Sequence, residues 1–101
     1  MLLSSTPRGT SAADLDSIHN YYEHMVLEEI QRQLHNQSHD NGFFADVACV
    51  ALNHLPPRYV RYDVDMAFYL SPKESVEMEE KVVAAVKAAI EFVEQRGSRD
   101  A

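Results

Sequence analysis

Two adjacent prolines, Pro56 and Pro57, constrain this chain more than any other feature. Neither has a backbone N–H to donate, and each ring disfavours helical backbone in the residue before it. The apolar run that precedes them, from about Phe43 to His54, reads as a helix that must stop near His54 and leave an extended chain. Beyond the prolines the corner presents Arg58, Tyr59, Arg61 and Tyr62. The same window stands out in charge. No carboxylate occurs between Asp46 and Asp63, although the chain carries 16 Asp and Glu and a net charge of -7. A locally basic, aromatic corner on an acidic chain suits a small anionic ligand better than a long polyanion. The plainer alternative is that the arginines pair with acids from elsewhere and the tyrosines pack in the core, since Arg is most often exposed or paired.

The rest of the pattern predicts a mainly α, small three-helix domain with a short extended or β segment after the Pro-Pro corner. Residues 1–13 are small, polar and non-periodic and read as a flexible arm, residues 14–97 as the domain, and residues 98–101 as a tail. Leu15, Ile18, Tyr22, Val26, Ile30 and Leu34 recur at helical spacing and predict a first helix from about Asp14 to His35. Tyr21, Met25 and Leu27 widen its apolar band, so it is expected to lie between two elements or to meet a second chain. Residues 36–42 form a polar loop. The second helix is apolar nearly all round and is expected to be the most buried element. From Val60 to Leu70 apolar residues alternate with Arg61, Asp63, Asp65, Ala67 and Tyr69, which predicts a half-buried strand. Its edge is expected to pair with a second subunit, or to fold back at Asp63-Val64-Asp65 as a short hairpin; the plainer alternative is a solvated irregular segment. Ser71-Pro72-Lys73-Glu74 reads as a capping box with proline in the first helical position. The third helix then runs to about Arg96, with Gly97 as its stop. Val76, Val83, Val86, Ile90 and Val93 form a seam close to seven-residue repeats, interrupted by Glu79 and suited to packing or dimerisation.

Composition excludes several classes. A chain of 101 residues is one small domain that buries only about 60–70% of its unfolded surface. Its acidity argues against sequence-independent nucleic-acid binding and against attraction to anionic lipid. No stretch approaches the ~18 apolar residues of a membrane span, and Met1-Leu2-Leu3 runs straight into polar residues, so a cytoplasmic location is expected. The single cysteine, Cys49, reads as a buried hydrophobe in a reducing compartment.

No catalytic constellation emerges, so an enzyme is not expected. The three glycines are scattered and build no phosphate loop, and one cysteine cannot supply a zinc-finger spacing. His35, His39 and Asp40 could form a metal cluster, but their polar loop favours solvated side chains. What remains is the corner. Arg58 and Arg61 point to opposite sides of an extended chain unless it turns. A guanidinium fork binds phosphate or the O6/N7 edge of guanine, and Tyr59 or Tyr62 could stack on a base. The residues alone point to a small anionic or nucleotide ligand.

Asp46-Val47 followed by Ala51-Leu52-Asn53-His54-Leu55-Pro56-Pro57-Arg58-Tyr59-Val60 resembles the hallmark of the late competence development ComFB family. Asn20-Tyr21-Tyr22-Glu23 leading into Val26 and Glu29 extends the likeness to the first helix. The resemblance covers about residues 18–70 and, more weakly, the third helix. It implies a mainly helical homodimer that acts as a bacterial receptor for the second messenger cyclic di-GMP. Members with a cysteine cluster ahead of the Asp-Val pair bind zinc. Here that region reads Asp40-Asn41-Gly42-Phe43-Phe44-Ala45, so no zinc and no other cofactor are expected, and Phe43 and Phe44 stand where the metal would be. On this basis Arg58 and Arg61 would meet phosphate or guanine, Tyr59 or Tyr62 would stack, Asn53 and His54 would hydrogen-bond, and Asp63 and Asp65 would accept from guanine N1 and N2. The other reading open at this point is a dimeric protein–protein interaction module without a nucleotide, whose wide helical faces bind a downstream protein.

Overall fold

Tyr22, Val26, Ile30 and Leu34 stand four residues apart, and all four side chains are buried along one face of a helix. That face is the spine of the fold. The computed structural model describes residues 12–100 and the side chains of residues 14–97. Of the expected N-terminal arm, residues 1–11 lie outside those described. In chain order the elements are α1 (Ala12–Asp16), β1 (His19–Asn20), α2 (Tyr22–Leu34), α3 (Asn41–Asn53), β2 (Tyr59–Val60), α4 (Asp65–Tyr69) and α5 (Pro72–Asp100). The three long helices α2, α3 and α5 pack on one another. Their shared core joins the α2 face to Val47 and Ala51 of α3 and to Met78, Val82, Val86 and Ala89 of α5. The buried face of the first helix is therefore met by two neighbours of the same chain, while Leu27, expected to widen its apolar band, is 53% exposed. At 29 residues and a rise of about 1.5 Å each, α5 accounts for most of the molecule's longest extent of 50 Å.

The ends of the helices follow the side chains available. The Ser71–Glu74 box forms in both directions: Ser71 Oγ accepts the Glu74 amide at 3.2 Å and Glu74 Oε1 accepts the Ser71 amide at 3.0 Å. The Ser71 amide and hydroxyl hold the Glu74 carboxyl below its ordinary value, with a further pull from Arg58. Asp40 caps α3 by accepting the Phe43 amide at 2.8 Å, so that helix starts at Asn41, ahead of the expected Phe43.

Several expectations are corrected. The first helix is broken between Asp16 and Tyr22, where the chain turns at Ser17 and extends through β1. Ile18, placed on the core face by its spacing, is therefore 51% exposed. The strand expected over residues 60–70 shrinks to Tyr59–Val60, which pairs antiparallel with His19–Asn20 of the same chain. Beyond that bridge no strand among the described residues lies alongside. The backbone meets its own hydrogen-bonding needs by closing into α4, with Asp63 and Asp65 at the helix's positive end. Of the alternating residues, Met66 is buried, whereas Val64 and Phe68 are open to solvent. Gly97 does not stop α5, which continues to Asp100. The α3 helix is not buried all round: Val47 and Ala51 face the core, so Cys49, on the opposite side of the helical wheel, faces out and is exposed.

Ile30→Ala is expected to lower unfolding stability by about 2–5 kcal/mol and Ser71→Ala by about 1 kcal/mol. Phe68→Ser should stay within roughly 0.5 kcal/mol of the parent protein, all three read by urea denaturation.

Candidate functional site

The Pro-Pro corner is held by the segment that breaks the first helix. Asn20 Oδ1 accepts two backbone amides at once, that of Tyr22 at 3.2 Å and that of Arg58 at 3.0 Å. The Tyr21 amide donates to the Arg58 carbonyl at 2.7 Å. One side chain thus starts α2 and fastens the residue after the prolines to it. Asn20–Glu23 has the spacing of a capping box, the sequence signal that could have marked this break.

The corner's side chains part from there. Arg58 lines a cavity of about 210 Å³ against α5, with Tyr22, Pro57, Glu74, Glu77 and Lys81 around it. Among the described residues its guanidinium makes no ion pair within 4.0 Å. Burial pushes the Tyr22 hydroxyl's pKa up, partly offset by Arg58. Lys81, a second cation at this cavity, was not singled out by sequence because it is distant in the chain and stands among exposed helix charges.

Arg61 turns the other way. Its Nε donates to Ser17 Oγ at 3.0 Å, its Nη2 to Asp14 at 2.9 Å, and its guanidinium lies 5.0 Å from the Tyr62 ring centre. This arginine follows the plainer expectation of an internal ion pair. Asp63 is likewise engaged, by His19 Nε2. Tyr59 and Tyr62 are exposed at 67% and 53%, so neither packs in the core. His54 points its Nδ1 back to the Val50 carbonyl at 2.8 Å, Asn53 is exposed at the end of α3, and Asp65 sits half-buried at the start of α4. The structure therefore brings Arg58 to the cavity and ties Arg61 and Asp63 to the segment around α1 and β1.

The loop before α3 is also more ordered by contact than a solvated loop would be. His39 is half-buried, with its ring stacked on Phe43 at 4.0 Å and edge-on to Phe44 at 6.2 Å. Among the described residues no three His, Cys, Asp or Glu side chains converge as a metal site. Nor is any described helix long and apolar enough to cross a membrane.

The model of the late competence development protein ComFB family matches residues 19–97, which span β1 to the last turns of α5. The chain belongs to the ComFB family. No curated protein and no solved structure gives a significant match. The match begins at His19, so the segment that fastens the corner, and not only the corner, lies within the family's domain.

Two predictions follow from these ties. Asn20→Ala leaves two amides without their acceptor and should cost about 1–3 kcal/mol in urea denaturation. The second concerns pH. The Ser17 carbonyl and the Asp63 carboxylate raise the His19 pKa above 6.5. Because the folded value is the higher one, the clasp's stabilisation is fully present below 6.5 and is lost as pH rises through the folded value. A histidine-ring NMR titration should give His19 a midpoint above 6.5 in the parent and a lower one in Asp63→Asn.

Proposed function

We propose that this ComFB-family protein is a non-enzymatic receptor for cyclic di-GMP, with the Arg58 cavity as its site. The observation that carries this is an arginine with no ion pair among the described residues, placed by a fastened diproline corner at a cavity that also holds Lys81. The lining is mixed in sign, which suits a ligand that is itself mixed. Arg58 and Lys81 would take phosphate oxygens, and the carboxylates of Glu74 and Glu77 would accept from the N1 and N2 donors of guanine. Tyr59 and Tyr62, both exposed, would stack on bases. Asn53, His54, Asp65 and the already paired Arg61 and Asp63 would lie at the margin.

The size of the cavity supports a dimer. At about 210 Å³ it falls below the ~300–1,000 Å³ of sites that enclose a drug-sized ligand. Cyclic di-GMP is two-fold symmetric, and two copies of this chain would offer it two such half-sites. Binding needs neither a metal nor a catalytic group, and the signal would pass to a downstream protein.

Calorimetry of the full chain with cyclic di-GMP is expected to show binding that Arg58→Ala weakens about tenfold or more, because charge-assisted hydrogen bonds are worth roughly 1.5–3 kcal/mol. Lys81→Ala should weaken it to a similar extent, and Arg61→Ala less. Absence of a binding heat with folded protein, or equal affinity in Arg58→Ala, would refute the assignment.

A further inference from the structure

The valine seam on α5 is divided by the fold. Val86 is buried and Ile90 and Val93 are half-buried, but Val76 and Val83 remain exposed at 53% and 38%. These two are seven residues apart, on one side of α5, with Glu79 between them. Beside this row α2 and α5 leave a groove. A cavity of about 410 Å³ has Met25, Val82 and Val83 as its apolar lining and Glu28, Glu29 and Glu79 as its acidic members. Through Met25 and Glu79 it continues into a smaller cavity of about 90 Å³ that reaches Tyr21 and Met78. From Ser75 to Val83 the α5 wall is about 12 Å long at helical rise, the span of two helical turns.

Charge decides what fits this groove. Three carboxylates face one cation, Arg32, whose Nε is committed to Glu29 at 2.9 Å. Arg32 and Gln33 hold the Glu29 carboxyl below its ordinary value. Glu28 has His24 Nε2 at 3.0 Å, one turn earlier on α2, an ion-pair partner only when that ring carries a charge. A second copy of the same face would set these carboxylates against their own kind, which is unfavourable. A partner of opposite charge gains at both edges. The lining is suited to an apolar stripe, because methionine adapts its shape to what it meets.

We propose that the α2–α5 groove is a docking site for a cationic amphipathic helix of a partner protein. Its apolar stripe lies on Met25 and Val83, above the buried Val82, and its Lys or Arg side chains reach Glu28 and Glu79, the helix-in-groove mode of recognition. Arg58 lines neither part of this groove, and the docking requires no nucleotide.

The test is fluorescence anisotropy of a labelled Leu/Lys peptide patterned as an amphipathic helix, titrated with the full chain. The expected result is saturable binding that weakens about tenfold in the double variant Glu28→Lys/Glu79→Lys, and also as salt rises towards ~0.15 M. Glu28→Gln/Glu79→Gln, a milder change at the same exposed positions, should fall between, and Val83→Asp should also weaken binding. Circular dichroism confirms that each variant keeps its helix content. The proposal is overturned if the charge-reversed variant binds as well as the parent, or if a scrambled peptide of the same composition binds equally. It is also overturned if sedimentation shows a dimer that Val83→Asp abolishes, since a second copy would then cover the groove.

Discussion

One amide oxygen carries the architecture of this domain. Asn20 Oδ1 receives the backbone N–H groups of Tyr22, the first residue of α2, and Arg58, the residue before β2, which lie far apart in sequence. A diproline corner is stiff within itself but has no means of fixing its own direction, since two of its residues lack a donor. Direction comes from the short bridge between His19–Asn20 and Tyr59–Val60, and from the Tyr21 amide on the Arg58 carbonyl. With Arg58 fastened on both its amide and its carbonyl, its side chain leaves towards α5.

The same segment sorts the charges of the basic window. Arg61 is taken up by Asp14 and Ser17, and Asp63 by His19. These contacts are at the surface and contribute little stability individually. Their effect is on position: they occupy one arginine and leave the other at the cavity with Lys81. Glu28, Glu29 and Glu79 line a second groove between α2 and α5, whereas Glu74 and Glu77 of α5 share the cavity with Arg58 and Lys81.

The three long helices were legible because Tyr22, Val26, Ile30 and Leu34 keep a strict spacing and because Ser71-Pro72-Glu74 marks a start without ambiguity. The core of α5 was legible only in part. Val76 and Val83 fit a seven-residue repeat as well as Val86 does, and which of them faces inward depends on where α2 crosses. The extended segment failed for a different reason. Period-two alternation records which side chains could share a face, but a strand also needs a neighbour of equal length, and among the described residues only two provide one. Hence Met66 is buried from a five-residue helix, while Phe68 is 81% exposed. At the site, Arg58 was read from local charge and sterics, whereas Tyr59 and Tyr62, read with it, do not line the cavity. Lys81 and Glu77 were not read, because the cavity is built by packing α5 against the corner, and nothing in their immediate sequence distinguishes them from other helix charges.

Amide hydrogen exchange at Tyr21, Tyr22 and Arg58 tests the fastening of the corner most directly. All three N–H groups are donors in the tie, at 2.7, 3.2 and 3.0 Å. They should exchange together and slowly, with protection close to that of the buried α2 amides, and Asn20→Ala should release Tyr22 and Arg58 while sparing the helix interior. Fast, independent exchange at Arg58 in the parent protein would contradict the account, because the corner would then be free to move and the direction of its arginine would not be set by Asn20.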